Sequence, residues 1–363
     1  MSKKIKLFDP SIGKQEENAL MKVLKSHFWA SGSGIGNVSK FEDRFKKFVG
    51  AKSCIAVNSG TAALNLALSL FNLKNKEVIL PSLSFVSTAH SILINGGKPV
   101  FVDVEPDTLN IDIEKIEKKI TKKTIAILPV HFAGLSCKIN EISKICKTHN
   151  LSLIEDAAHA AGSKYKKKRI GGHGDAVCFS FHPVKNLAMP TGGIISLNHK
   201  NYKKMKKMLE ANRWCGITNR RGVKYDVKSL GNNYYMNEFS AAIGIEQLKK
   251  LDKLNLKRKK IAKIYSNELE IEKKIPFNNS CSYHLFWIQT KNRETFMKKM
   301  SEKGIETGIH YLPIHKMSLY SSKIKLDVTE NAGRTIVSLP IHTNLADYEV
   351  DKIIKYCNKF SRN

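Results

Sequence analysis

Between residues 53 and 197 the chain repeats short runs that are apolar along their whole length: 53–57, 77–80, 99–104, 125–130, 151–154, 176–181 and 193–197. A strand with one wet face alternates apolar and polar side chains, so an unbroken apolar run needs cover on both faces. Helical patterns lie between the runs, the clearest being Ala62-Ala63-Leu64-Asn65-Leu66-Ala67-Leu68 after a turn. Strands alternating with helices point to an α/β fold: a mostly parallel sheet flanked by crossover helices.

The chain has 363 residues, more than the ~250–300 at which one hydrophobic core stops growing. A second, smaller unit is therefore expected. From about Met236 the pattern changes to a long helix that runs through Gln247-Leu248-Lys249-Lys250-Leu251 into a lysine-rich stretch. Beyond about residue 255 the chain reads as a smaller α/β unit, with strands expected at 283–290 and 338–341. This gives a large domain over 1–250 and a small C-terminal domain over 251–363. No internal repeat or low-complexity linker separates them.

Composition removes several function classes. At 42% hydrophobic residues the chain is not disordered. No window reaches the ~18 apolar residues of a membrane-spanning helix, and the basic start through Lys3, Lys4 and Lys6 has no apolar stretch behind it. The expected location is the cytoplasm, without membrane insertion. The seven cysteines (54, 137, 146, 178, 215, 281 and 357) are scattered and never paired as C-x-x-C, which predicts reduced thiols and no metal site. The net charge of +29 raises the question of nucleic acid. It is made of 52 lysines and only nine arginines, and lysine lacks the planar fork that reads bases and phosphates in pairs of bonds. The densest runs, 166–169 and 257–260, read as a solvated turn and a solvated helix face. No nucleic-acid partner is expected.

Chemistry concentrates in Leu153-Ile154-Glu155-Asp156-Ala157-Ala158-His159 and Ser180-Phe181-His182-Pro183-Val184-Lys185-Asn186. Asp156 ends an apolar strand, where open α/β sheets bind ligands, although an acid there can also merely cap the next helix. Lys185 lies in a loop between two strands and means little alone among so many lysines. Together they fit a pyridoxal phosphate site: a lysine amine for the Schiff base, and an acid that keeps the pyridine nitrogen protonated so that the ring accepts electrons. Asn58-Ser59-Gly60-Thr61 before a helix offers backbone N–H groups and hydroxyls for the phosphate, with Gly60 allowing close approach, or else an ordinary N-cap. Ser180 offers a further hydroxyl. Phe85, after the strand ending at Leu80, suits the ring face or the core. His159 suits the cofactor's phenolic oxygen or a helix start.

In this order the motifs resemble the DegT/DnrJ/EryC1/StrS family, sugar aminotransferases of the aspartate aminotransferase fold (fold type I). The resemblance spans essentially the whole chain. It extends through Pro81 to Phe85, Pro129-Val130-His131, Gly231-Asn232-Asn233-Tyr234, Tyr283-His284-Leu285-Phe286 and Thr307-Gly308-Ile309-His310-Tyr311. It implies pyridoxal 5'-phosphate as cofactor, with Lys185 forming the Schiff base and moving the proton. Asp156 would pair with the pyridine nitrogen, Phe85 would stack on the ring and His159 would sit near the phenolic oxygen. Ser59, Gly60, Thr61 and Ser180 would hold the phosphate, and Asn233 would reach it from the neighbouring subunit, which implies a homodimer with sites at the interface. Arg220, His310 and Tyr311 match positions used near the amino donor or the sugar.

Two departures concern the substrate. Where the family often has Gly-Glu-Gly-Gly, this chain reads Met189-Pro190-Thr191-Gly192-Gly193; where it has Asn-Tyr-Arg-Met, this chain reads Asn233-Tyr234-Tyr235-Met236. A Glu and an Arg are thus missing, and neither touches the lysine or the acid. The expected activity is transfer of an amino group from L-glutamate to a nucleotide-linked 3- or 4-keto-deoxysugar, in a cleft that the net charge would make basic. Three alternatives remain: an acceptor that is a small phosphorylated ketone, a 3-dehydratase (opposed by Lys185), and a non-catalytic regulatory or nucleic-acid-binding protein (opposed by Asp156 and Lys185 together).

Overall fold

The computed structural model describes residues 4–361. Its first two helices, α1 (Lys14–Ser26) and α2 (Asn37–Val49), lead into a sheet of seven strands. In chain order these are β1 (Ser53–Val57), β2 (Glu77–Pro81), β3 (Lys98–Val102), β4 (Thr124–Ile127) and β5 (Ser152–Asp156). A two-residue hairpin, β6 (Lys164–Tyr165) and β7 (Lys168–Arg169), intervenes before β8 (Ala176–Ser180) and β9 (Gly193–Leu197). The spatial order is β1-β9-β8-β5-β4-β2-β3. β9 runs antiparallel to both neighbours and the other pairings are parallel.

The unbroken apolar runs are explained by what covers each face. In β1, Cys54 and Ala56 join one core cluster with Phe41 and Phe45 of α2, while Ile55 and Val57 join a second with Leu64 and Leu66 of α3 (Gly60–Ser69). β8 divides likewise, Val177 and Phe179 to the first cluster and Ala176 and Cys178 to the second. Since side chains alternate along a strand, both faces are dry only if every position is apolar. The first cluster is closed by α6 (Ile139–Thr148) and the N-terminal half of α8 (Glu238–Glu268), the second by α4 (Ser87–Ile94) and α7 (Tyr202–Asn212). The short α5 is Ile113–Glu117.

Helix α8 joins two cores. Its residues Ala241, Leu248 and Leu251 pack into the first cluster, whereas Ile261, Ala262 and Tyr265 pack into a third with Trp287, Phe296, Val337 and Ile353. That third core lies between the antiparallel pair β12 (Phe286–Gln289) and β13 (Ile336–Leu339) and the helices α9 (Arg293–Glu302), α10 (Asp327–Thr335) and α11 (Asp347–Ser361). The first C-terminal strand is thus shorter than the run expected at 283–290, and the second begins two residues before the expected 338–341. Chain ends pack here too: Ile5 bridges Ile305.

Two sequence expectations change. An exposed hairpin, β10 (Ile217–Arg221) and β11 (Lys224–Val227), stands where no strand was expected. The basic run 257–260 is a solvated helix face at Lys257 and Lys260, but Arg258 turns inward and is buried. Run 166–169 does make a turn, and Arg169 pairs at the surface with Asp252 at 2.8 Å. All seven cysteines are free thiols. Among the described residues no helix is long and apolar enough to cross a membrane.

Candidate active site

The carboxyl ends of β1, β2, β5 and β8 meet at one edge of the sheet, where loops rather than strands fill the space. A cavity of about 420 Å³ opens there. Ten of the sequence-predicted residues line it: Ser59, Gly60, Thr61, Phe85, Asp156, His159, Ser180, Lys185, His310 and Tyr311. They come from five separate stretches of the chain, so the fold brings them together.

Each is placed by its element. Ser59 is the N-cap of α3: its hydroxyl accepts from the Ala62 N–H at 3.1 Å, so the capping and cavity readings both hold for it. A Cβ at Gly60 would come within 2.6 Å of the Ser180 Cβ, which is why the α3 start can lie against the end of β8 only as glycine. Gly193 is under the same constraint, since its Cβ would meet the Ser59 carbonyl oxygen at 2.3 Å. Phe85 lies between β2 and α4 with its ring half exposed to the cavity and 6.0 Å from the Tyr311 ring.

Asp156 is buried at the end of β5. Its Oδ1 accepts from the Ala158 N–H at 3.0 Å and its Oδ2 from the Thr88 hydroxyl at 2.8 Å; Thr88 in turn bonds Ser84 at 2.8 Å. Burial raises its pKa, opposed by these two donors and by Lys185. Lys185, in the turn after β8, has its pKa lowered to about 8 by burial, with Asp156 pulling the other way. The amine is therefore neutral in a substantial fraction of molecules near physiological pH.

His159 accepts the Ala133 N–H on Nδ1 at 3.2 Å, which leaves its proton on Nε2, 3.0 Å from the Tyr311 hydroxyl. Burial, then the charge of Lys185 and, when it is protonated, His310, holds its pKa well below the usual value. His310 is brought down to about 4 by burial and by Lys185. Burial, then Asp156, pushes the Tyr311 phenol upward.

Two predicted residues lie elsewhere. Arg220 is exposed on the β10–β11 hairpin with its guanidinium over the Trp214 ring at 4.6 Å. Asn233 is exposed outside this chain's cavity, its carbonyl accepting from the Asn58 side chain at 3.1 Å. The expected basic cleft is not found: Lys185 is the only lysine or arginine among the lining residues and Asp156 the only acid. Among the described residues most lysines and arginines lie on the outer surface, while Arg213, Arg258 and Arg293 are buried. Thr191, at the missing Glu, lines the cavity and its hydroxyl bonds the Asn58 carbonyl; Tyr235, at the missing Arg, bridges Val57.

Sequence reading missed Thr88 and His284. Thr88 is 68 residues from its partner Asp156, and nothing in a threonine near a helix start signals such a contact. His284 was quoted within a motif without a role, yet its Nε2 lies 3.3 Å from the Lys185 amine.

A lone amine and a lone carboxylate face one cavity beside the N-terminus of a ten-residue helix, with glycines that let backbone N–H groups approach a phosphate. This donor set fits pyridoxal phosphate. The comparisons agree. The sequence model of the DegT/DnrJ/EryC1/StrS aminotransferase family matches residues 10–358. The chain is 33% identical to the spore coat polysaccharide biosynthesis protein SpsC of Bacillus subtilis, over 95% of this chain and 94% of that protein. Among solved structures it is similar to Helicobacter pylori PseC, an aminotransferase involved in the biosynthesis of pseudoaminic acid (TM-score 0.93, 30% identity, 99% of this chain and 100% of that one). It is likewise similar to the PLP form of Spr1654 from Streptococcus pneumoniae, a putative sugar aminotransferase (TM-score 0.93, 25% identity, 99% of each chain). The chain belongs to the DegT/DnrJ/EryC1/StrS family of pyridoxal phosphate-dependent aminotransferases.

Proposed function

We propose that this aminotransferase moves an amino group from L-glutamate to the keto carbon of a nucleotide-linked 3- or 4-keto-deoxysugar, making an amino sugar for a surface polysaccharide or related glycan. The observation that carries the reading is the pairing of Lys185 and Asp156 as the only base and acid of ordinary charge in the cavity. The sugar class is supported by the names that PseC and SpsC carry.

The bound cofactor supplies an electron-accepting ring and a carbon that carries the amino group between donor and acceptor. The chain's residues do the rest. Lys185, lowered to about 8 by burial, would hold the cofactor and then move the proton between the substrate carbon and the cofactor. Asp156, fixed by Thr88 and the Ala158 N–H, presents a carboxylate toward the pyridine nitrogen. Ser59, Gly60, Thr61 and Ser180 would hold the phosphate at the α3 N-terminus, Phe85 would cover the ring, and the Nε2 proton of His159 would serve the phenolic oxygen. His310 and Tyr311 bring the small domain, 251–363, over the large one, 1–250. Arg220 would meet the amino donor or the sugar, and Asn233 of the partner subunit would reach the cofactor phosphate. The working form is then a cytoplasmic homodimer.

The test is direct. The purified protein should show an aldehyde-type absorption band that glutamate converts to the amine form, and one member of a panel of nucleotide 3- and 4-ketosugars should restore it. Lys185→Ala should lose the band and at least ~10⁴-fold in rate, because nucleophile and proton carrier vanish together. A band that persists in the variant would sink the reading.

A further inference from the structure

We infer that His284 is a positioning residue for Lys185, its Nε2 accepting a hydrogen bond from the free amine and fixing where Nζ sits while it carries a proton. The inference rests on the reading of Lys185 given above. His284 is buried, and its ring lies between Phe8, stacked at 5.6 Å, and His159 at 4.5 Å. Its backbone N–H is held by the Ala133 carbonyl at 3.0 Å, so the ring is set from both the main chain and its faces. Of its two nitrogens, Nδ1 has no hydrogen-bond partner among the described residues, and Nε2 has one, the Lys185 amine at 3.3 Å.

A ring that only filled space here would be better as phenyl, which stacks on Phe8 equally well and buries no unpaired nitrogen. The imidazole's polarity is spent on Lys185 alone. Its state suits that use. Burial first, and then the positive or potentially positive charge of Lys185, His159, His310 and Arg258, holds its pKa well below the usual value, so the ring stays neutral and keeps a lone pair to offer. Lys185 in turn shares the cavity wall with Asp156, Tyr311 and the histidines 159, 182 and 310, while His284 reaches its amine from outside that lining. Only His284 is within hydrogen-bond distance of its amine. When Lys185 takes a proton it becomes an ammonium in a largely apolar wall, and a neutral acceptor beside it makes that ammonium easier to form. Proton and acceptor remain where they are: Nζ holds the proton, His284 shares it, and no charge passes to the ring.

The test reads the amine itself. Trace acetylation of cofactor-free protein across pH, followed on the Lys185 peptide by mass spectrometry, gives the reactivity and apparent pKa of that one lysine. His284→Phe, which keeps the stacked ring and removes the acceptor, should lower the Lys185 pKa by about one unit, the value of a hydrogen bond to a charged group. His284→Gln, whose amide oxygen falls near the position of Nε2, should restore most of that shift. Unchanged values in both variants, or equal shifts in both, would overturn the inference, since packing alone does not distinguish them. If His284→Phe does not fold, His284→Asn, too short to reach Nζ, takes its place with the same expectation. Pyridoxal phosphate added to the wild-type protein should protect the Lys185 peptide from acetylation. Loss of that protection would overturn the role of Lys185, whereas protection with an unmoved pKa in the variants would overturn only the role of His284.

Discussion

Glu155 and Asp156 are neighbours in β5 and face opposite sides of the sheet; Glu155 is bonded to His131, whereas Asp156 shares a cavity with Lys185 and acts on it through charge without an ion pair, so the two pairs are built differently. Glu155 is sealed. One oxygen bonds His131 Nε2 at 2.8 Å, the other takes the Gly174 N–H, and His131 Nδ1 accepts the Cys137 N–H at 3.1 Å, all at zero exposure. Asp156 is secured on its inner side by Thr88 and Ala158, but its base, Lys185, has only His284 and an open cavity before it. A pair whose donors and acceptors are all satisfied has nothing left to offer a ligand and can only hold the fold. A pair left partly unsatisfied costs the fold something and stays available for chemistry.

The largest effect should come from opening the sealed pair. His131→Leu leaves Glu155 buried without its partner, and breaking such a pair costs about 3–5 kcal/mol. Denaturant unfolding should show that loss, while the folded fraction keeps its aldehyde-type absorption, because His131 holds the Asp156 carbonyl through its backbone N–H at 3.0 Å and not through its ring. A loss under about 1 kcal/mol would show that the two pairs do not differ as described.

The open pair should respond in the opposite sense. Lys185 has an ordinary value of 10.5 and about 8 in the fold, so between these the unfolded chain binds more protons and stability rises with pH. The penalty is fully present below about pH 8 and gone above about pH 10.5. Lys185→Met removes it. Cofactor-free variant should therefore be more stable than wild type below pH 8 by at most ~3 kcal/mol, and by less where solvent in the cavity screens the amine. The advantage should fade as pH rises toward 10.5. Equal stability at pH 7, or an advantage that grows with pH, would contradict the depressed amine.

This contrast also separates what the sequence disclosed from what it withheld. The sheet was legible because burial on both faces leaves unbroken apolar runs, and ten site residues were legible because they fall at strand ends or in the motif runs that follow them. The C-terminal strands were less so: 283–290 is apolar partly because Tyr283 and Leu285 enter a core from a loop. The β10–β11 hairpin was illegible, since Ile217 to Val227 is exposed and polar and carries no burial pattern. Arg258 looked solvated amid lysines, because charge runs do not reveal which residue of a helix turns inward. The sealing of Glu155 and the contacts of Thr88 and His284 depend on distances across 24, 68 and 99 residues, and no local pattern encodes them.

The finest test removes one bond from the inner side of the open pair. Thr88 donates to Asp156 Oδ2 and is fully buried, so Thr88→Val keeps its shape and deletes only the hydroxyl. Burial already raises the Asp156 pKa and the Thr88 donor opposes it; without that donor the carboxyl holds its proton to higher pH. A protonated Asp156 cannot balance a protonated pyridine nitrogen. The acid limb of the kcat profile should therefore move up by about one unit, with roughly tenfold lower turnover on the acid side and little change once the carboxylate has reformed. Thr88→Ser restores the donor and should return the limb to its place. Were the limb unmoved in Thr88→Val, or moved equally in Thr88→Ser, the hydroxyl would not be what holds Asp156 in its charged form, and the Ala158 N–H and the nearby charge of Lys185 would do so against burial without it.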